Sequence, residues 1–169
     1  MKYNLSLTAA ALLLLSTIAC KEDTKPKAIA FSTTIAQTND TLLARNYAVA
    51  EAAGYSSATK DFSRVNRSYG DMVSYIDKKT AELEKMEDVG GKELKAKELE
   101  FLKYEKEMIA PLSAFSTFTN ATSKEECMAA ANKMFEAANY MSPKLLEINR
   151  LLKEYTEKNQ VPLVMSAVE

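Results

Sequence analysis

Residues 123–155 read SKEECMAAANKMFEAANYMSPKLLEINRLLKEY, and their spacing decides the fold. Small and apolar side chains recur there at alternating steps of four and three residues, the heptad spacing of a helix in a left-handed bundle. These positions are Cys127, Ala131, Met134, Ala138, Met141, Leu145, Ile148, Leu152 and Tyr155. The phase is kept across Ser142-Pro143, so the pattern predicts one long kinked helix, about 123–158, rather than two. The preceding residues 122–126 offer a capping box, a helix-start signal, in either of two registers.

Three more helices are predicted upstream, over about 28–54, 59–88 and 92–119. Gly54 is expected to end the first helix, and Gly90-Gly91 forms the turn before the third. Gly70 indicates a closely packed partner helix along the second. Pro111 interrupts the third helix and predicts a kink, because proline removes a backbone hydrogen bond.

Each predicted helix has one apolar face, and these faces form the predicted core. The faces are Phe31, Ile35, Thr38, Leu42, Val49 and Ala53 in the first helix; Phe62, Val65, Tyr69, Met72, Ile76, Thr80 and Leu83 in the second; and Leu94, Phe101, Met108, Leu112, Phe115 and Phe118 in the third. Long helices joined by short turns pack against antiparallel neighbours. The sequence therefore predicts an all-α, elongated four-helix bundle over residues 28–159. It does not decide whether the tail, 160–169, docks on this bundle.

The composition argues against several classes of function. The chain has 22 basic and 23 acidic residues, so it has no general attraction for nucleic acid. It has no histidine, and so lacks the usual general base and the commonest metal ligand. We expect no catalytic residues, no metal and no cofactor.

Two features near the predicted core are candidate chemical sites. Glu98 and Glu105 lie nearest the buried side of the third helix, but a carboxylate metal site in a bundle normally adds Glu-x-x-His pairs, and surface carboxylates are the favoured interpretation. Cys127 lies in the first turn of its helix, where the helix dipole lowers a thiol pKa. Glu125 and Glu126 oppose that effect, and the heptad position favours a buried apolar role for Cys127. The eight methionines are interpreted mainly as core filling.

The N-terminus, MKYNLSLTAAALLLLSTIAC, has a basic start, an apolar run and small residues before Cys20. That order is typical of a secretory signal, and the apolar run is shorter than a membrane span. Leu15-Ser16-Thr17-Ile18-Ala19-Cys20 resembles the lipobox of bacterial lipoproteins, although the family usually has Leu where Thr17 stands. The resemblance implies that residues 1–19 are removed and that Cys20 is acylated. Ordinary signal-peptidase cleavage would instead leave Cys20 free to form a disulfide with Cys127.

The residues after Cys20 indicate a location. Lys21, Glu22 and Asp23 resemble the export tag of surface lipoproteins of the Bacteroidetes, and residues 20–27 are interpreted as a flexible tether. The resemblance implies a lipid anchor in the outer membrane, with the protein exposed at the cell surface. Two or three acyl chains hold a protein firmly, because each buried methylene contributes about 0.8 kcal/mol.

The predicted function is binding. We expect a lipid-anchored envelope protein that contacts an unidentified macromolecule and is not an enzyme. The alternatives are a periplasm-facing lipoprotein that supports an envelope assembly, and a carrier of small apolar ligands. A hydrolase or redox bundle using its carboxylates or Cys127 is the rival from another class. Tyrosines that fit the core poorly are the candidates for a partner surface, since Tyr is enriched in binding hot spots. They are Tyr47, Tyr55, Tyr75, Tyr104 and Tyr140.

Overall fold

The computed structural model describes the backbone of residues 5–163 and the side chains of residues 24–163. Its helices are α1 (Leu5–Thr59), α2 (Ser63–Lys85), α3 (Lys92–Ile109), a 3-10 helix (Ala110–Ser116), α4 (Lys124–Ala138) and α5 (Met141–Asn159). No strand occurs within the described backbone. The prediction of an all-α helical bundle is confirmed.

The helices pack as a four-cornered bundle. α1 packs against α2 on one side and against α4 and α5 on the other. α3 packs against the same neighbours, so α1 and α3 lie across the diagonal of the bundle. α4 and α5 together take the position of the fourth predicted helix.

Aromatic clusters fill the core near both ends of the bundle. At one end the rings of Phe31 in α1 and Tyr155 in α5 pack edge to face, with centroids 5.2 Å apart. At the other end Phe62, Phe115 and Phe118 pack together, with centroids 5.0 to 5.9 Å apart. The buried apolar positions between them follow the predicted faces closely. They include Ile35, Leu42, Val49, Val65, Met72, Ile76, Leu83, Leu94, Phe101, Met108, Leu145, Ile148 and Leu152.

The prediction that Gly54 ends the first helix is wrong. α1 continues to Thr59, and the chain leaves it at Lys60, which has a left-handed φ of 63°. The Lys60 amide still donates to the Ser56 carbonyl, at 2.9 Å. The Lys60 ammonium also donates to the carbonyl of Thr122, which ties this corner to the loop before α4. These bonds stabilise an ending that residue preference alone would assign to glycine.

Pro111 and Pro143 interrupt their predicted helices more strongly than expected, whereas Pro26 lies inside α1 without ending it. At Pro111 the α-helix changes to the 3-10 helix. Pro111 has no N–H to donate to the carbonyl of Glu107, and the Ala110 amide donates to that carbonyl instead. The single kinked helix predicted over 92–119 is therefore wrong. Pro143 likewise has no N–H for the carbonyl of Asn139, and the helix is interrupted at residues 139–140.

The single long helix predicted across Pro143 is therefore wrong as well. The interruption was hidden in the sequence because the chain resumes in phase. Leu145, Ile148, Leu152 and Tyr155 are buried after the break, as Cys127, Ala131 and Met134 are before it.

The start of α4 agrees with the predicted capping box, in the register of Ser123 and Glu126. The Ser123 hydroxyl accepts from the Glu126 amide at 3.2 Å, and the Glu126 carboxylate accepts from the Ser123 amide at 2.8 Å. Both bonds supply partners to backbone groups that the helix leaves unpaired at its first turn.

The structure is crowded at Gly91 and open at Gly70, where a close helix contact was predicted. A Cβ on Gly70 would meet no atom within 4 Å, so the predicted close helix contact at Gly70 is absent. A Cβ on Gly91 would lie 2.7 Å from Tyr155 Cε2 and 2.8 Å from Phe31 Cε1. Gly91 thus lets the turn between α2 and α3 approach the Phe31–Tyr155 pair.

The N-terminal helix extends beyond its predicted start. The backbone of α1 includes residues 20–27, the predicted tether, and Lys27 pairs with Glu87 at 2.8 Å. At the other end of the chain Val161 is buried, and residues 164–169 lie outside the described part. None of the described helices has a stretch long and apolar enough to cross a membrane.

Candidate functional site: two buried acid–amide rungs and an adjoining groove

Glu98 and Glu105 lie fully inside the bundle, each with no exposed surface. They occupy core positions of α3 between Leu94, Phe101 and Met108, which are also buried. The sequence placed these carboxyls near the buried side but favoured a surface position, and that interpretation is wrong. Helix periodicity turns both side chains toward the centre because they share the heptad seam of α3.

Each carboxyl meets an asparagine from the diagonal helix. Asn39 Nδ2 donates to Glu98 Oε2 at 3.2 Å, and Asn46 Nδ2 donates to Glu105 Oε2 at 2.8 Å. We call these pairs the Glu98 rung and the Glu105 rung. Both pairs join residues 59 positions apart, so the same contact is repeated one heptad along the bundle. The asparagines are themselves almost completely buried.

Sequence reasoning missed the asparagines. Asn39 and Asn46 are seven residues apart, as are Glu98 and Glu105, and this matched spacing is the signal that was present. A polar residue recurring at a heptad interval suggests a core partner, but the helix register that joins the two pairs is visible only in the folded chain.

Burial strongly raises the pKa of both carboxyls. The pKa of Glu98 is raised to about 8, chiefly by desolvation; the Asn39 hydrogen bond acts in the opposite direction, and the nearby charge of Glu105 acts in the same direction as desolvation. Desolvation raises the pKa of Glu105 to about 7, again against the bond from Asn46. No ion pair among the described residues includes either carboxyl. The core therefore favours the neutral acid, most strongly at Glu98.

The hydrogen bonding of the rungs agrees with neutral carboxyls. In each rung the second carboxyl oxygen and the amide oxygen lack a partner: Glu98 Oε1 and Asn39 Oδ1 in one, Glu105 Oε1 and Asn46 Oδ1 in the other. All four atoms are acceptors when the acid is ionised. A protonated acid supplies one O–H donor to its rung, and an acid–amide pair can then form two reciprocal hydrogen bonds.

An apolar groove adjoins the Glu105 rung. It has a volume of about 220 Å³ and lies between α1, α3, α4 and the start of α5. Its lining, which defines what we call the Tyr47 groove, is Leu43, Asn46, Tyr47, Ala50, Met108, Met134, Phe135, Ala138 and Met141. Tyr47 and Phe135 are 70% and 42% exposed. Asn46 is the one lining residue that also belongs to a rung, and its Nδ2 lies 3.5 Å from Met141 Sδ.

The five candidate tyrosines do not form one surface. Tyr47 lines the groove. Tyr55 lies further along α1, and the Arg64 guanidinium carbon lies over its ring, 5.6 Å from the ring centroid. Tyr75 stacks with Arg45. Tyr104 is half-buried and donates to the carbonyl of Ala137 in the last turn of α4. Tyr140 is 67% exposed at the break between α4 and α5, directly before Met141 of the groove.

The remaining candidates lie in the core of the bundle. Cys127 is a free thiol with no exposed surface, and the prediction that it is buried is confirmed. Met72, Met108 and Met134 are buried as predicted. Within the described part of the chain, no three His, Cys, Asp or Glu side chains are grouped to hold a metal.

The predicted lipid attachment site and export tag cannot be placed in this geometry. Cys20, Lys21, Glu22 and Asp23 lie outside the residues whose side chains are described. The fold and site together define an all-α bundle with paired acid–amide contacts in its core. No protein-family model matches the sequence, and neither a curated protein nor a solved structure matches it significantly.

Proposed function

We propose that this chain is a lipid-anchored envelope protein, displayed at the cell surface, that binds another macromolecule and does not catalyse a reaction. The proposed location rests on the lipobox-like sequence before Cys20 and on the tag that follows it. The binding role rests on the exposed aromatic residues around the Tyr47 groove.

The observation that carries the binding role is the exposure of large apolar side chains on both walls of that groove. Tyr47 on α1 and Phe135 on α4 remain exposed, although both belong to residue types that bury readily elsewhere in this chain. Tyr140 adds a third exposed ring beside the groove residue Met141. Exposed aromatic residues next to an apolar depression are typical of binding surfaces.

Photo-crosslinking in intact cells tests this role. A photoreactive amino acid is placed at position 47 in one strain and at position 55 in a matched strain, because both tyrosines are exposed on the same helix. We expect a discrete crosslinked species from position 47 and none of the same mass from position 55. Equal labelling from both positions, or none from position 47, would contradict a partner surface at the groove.

Protease treatment of the same intact cells tests the proposed surface location. A surface protein is digested without lysis, whereas the periplasm-facing alternative is digested only after the outer membrane is opened. Crosslinking at position 47 combined with protection from protease would support the envelope-assembly alternative and remove the surface assignment.

A second candidate function, the small apolar ligand carrier, is favoured by the groove itself. Eight of its nine lining residues are apolar or aromatic, and Met108, Met134 and Met141 are among them. Unbranched methionine side chains adjust readily to the shape of a bound molecule. The volume of about 220 Å³ suits a small ligand better than a long lipid chain.

A further inference from the structure

The Tyr47 groove has one amide side chain in its lining, Asn46, and the oxygen of that amide has no donor unless Glu105 carries a proton. Asn46 lines the groove while only 8% of it is exposed, and its Oδ1 atom has no hydrogen-bond donor. Its rung partner Glu105 is completely buried, and Glu105 Oε1 also has no donor. Two acceptor oxygens of one rung therefore lie at or behind the wall of an apolar groove.

The Glu98 rung provides a natural comparison. Asn39 and Glu98 make the same hydrogen bond and leave the same two oxygens without donors. Neither residue lines the Tyr47 groove. The two rungs thus differ in that only the Glu105 rung has a residue, Asn46, in the lining of the Tyr47 groove.

The lining of the groove selects the chemistry of the ligand. It contains no Lys or Arg that would pair with the carboxylate of a fatty acid. Behind Asn46 lie two buried oxygen acceptors instead, Asn46 Oδ1 and an oxygen of the Glu105 carboxyl group. Acceptors without donors are best satisfied by a group that brings several N–H bonds and a positive charge.

We propose that the Tyr47 groove binds a small amphiphile with an apolar chain and a protonated amine. The chain packs against Met108, Met134 and Phe135, and the ammonium donates to Asn46 Oδ1 and to the Glu105 carboxylate. At a pH where Glu105 is protonated in the unliganded protein, its proton passes to the solvent when the ammonium takes its place; where Glu105 is already ionised, no proton is released. This inference rests on the second candidate function above and does not depend on the lipid anchor.

Met141 is the side chain that must move for the amine to reach the rung. Its sulfur contacts the Asn46 amide, and Met141 also lines the groove. Methionine has three rotatable side-chain bonds and no branch, so it can change rotamer without displacing the backbone. The Asn46 Nδ2 bond to Glu105 Oε2 can remain in place when Met141 turns aside.

The test compares three six-carbon probes with the full chain: hexylamine, hexanol and hexanoate. At pH 8 the amine is protonated, and Glu105 is ionised because this pH is above its raised pKa of about 7. Binding is followed by NMR of methyl-labelled methionines. We expect hexylamine to shift Met108, Met134 and Met141, to leave the buried Met72 of α2 unchanged, and to bind about tenfold more tightly than hexanol.

Matched variants locate the amine. Glu105→Gln is expected to reduce hexylamine affinity about tenfold and to leave hexanol affinity unchanged, because only the charged partner is lost. Glu98→Gln makes the same chemical change in the other rung and is expected to leave both affinities unchanged. Ala50→Leu fills the groove from α1 and is expected to weaken hexylamine and hexanol together. Circular dichroism checks that each variant is folded.

The outcomes separate this inference from the carrier function. If hexanol or hexanoate binds as tightly as hexylamine, or if both Gln variants act alike, the amine assignment is overturned while the carrier function stands. If no probe shifts the three groove methionines, both are overturned.

Discussion

Asn39 in α1 donates a hydrogen bond of 3.2 Å to Glu98 in α3, across the diagonal of the bundle and in a core position with no exposed surface at Glu98. A carboxyl in such a place is costly to ionise unless it is paired with a cation. Here its partner is a neutral amide, so the folded protein is more stable when Glu98 is protonated than when it is ionised.

The first prediction concerns pH. Unfolded Glu98 titrates near its ordinary pKa of 4.5, whereas folded Glu98 holds its proton up to about 8. The folded state binds more protons in that interval, so the contribution of Glu98 to stability is complete below pH 4.5 and is lost as pH rises through 8. The loss approaches about 1.4 kcal/mol per pH unit for one group.

Glu98→Gln isolates this effect, because glutamine keeps the shape and can form both bonds to Asn39 without a titrating proton. We expect the variant to match the wild type near pH 4.5 and to be the more stable protein at pH 9, in urea unfolding. Glu100→Gln is the control, since Lys97 and Lys144 lower the pKa of that exposed carboxyl. A difference in unfolding free energy between wild type and Glu98→Gln that does not change with pH would contradict a buried proton on Glu98.

The second prediction concerns Gly91. An added methyl group would approach the rings of Tyr155 and Phe31 to within 2.8 Å, so Gly91→Ala must displace a packed aromatic pair. We expect a loss of about 1–3 kcal/mol in unfolding free energy. Gly70→Ala is the matched control in open space within α2, and it should stabilise by up to about 1 kcal/mol. Equal effects of the two substitutions would show that the α2–α3 turn does not pack as described.

The third prediction concerns the start of α4. Ser123→Ala removes the hydroxyl that accepts from the Glu126 amide, and it should cost about 1 kcal/mol. Ser116→Ala, at an exposed site at the end of the 3-10 helix, should change stability by less than about 0.5 kcal/mol. Thermal unfolding of both variants measures the difference. A Ser123→Ala protein as stable as Ser116→Ala would mean that the capping box contributes little.

The sequence was most informative where one physical rule acted alone. Heptad spacing from Cys127 to Tyr155 predicted the core face of α4 and α5 because burial of one helix face depends only on periodicity. It could not locate the break before Pro143, because the two helices on either side remain in the same phase. The end of α1 at Lys60 is stabilised in part by a bond to the distant residue Thr122, which no local pattern contains.

The site shows the same limit more strongly. The position of Glu98 on α3 was readable, but its burial was not, since a buried carboxyl is improbable until its partner is known. That partner, Asn39, lies 59 residues earlier and belongs to the diagonal helix. The Tyr47 groove depends on side chains from several helices, and no single segment of the sequence describes it.

The fourth prediction tests the redox rival. Cys127 has no exposed surface, so native protein should react with a thiol-alkylating reagent far more slowly than protein unfolded in urea. Mass spectrometry over time measures both rates. Comparable rates would revive a reactive role for this thiol.

The proposed address depends most on the N-terminus, and mass spectrometry of the mature protein's N-terminal peptide tests it most directly. We predict a chain that begins at Cys20 and carries the added mass of acyl groups. A mature chain with Cys20 unmodified, or with Cys20 joined to Cys127 by a disulfide, would contradict the proposed lipid anchor.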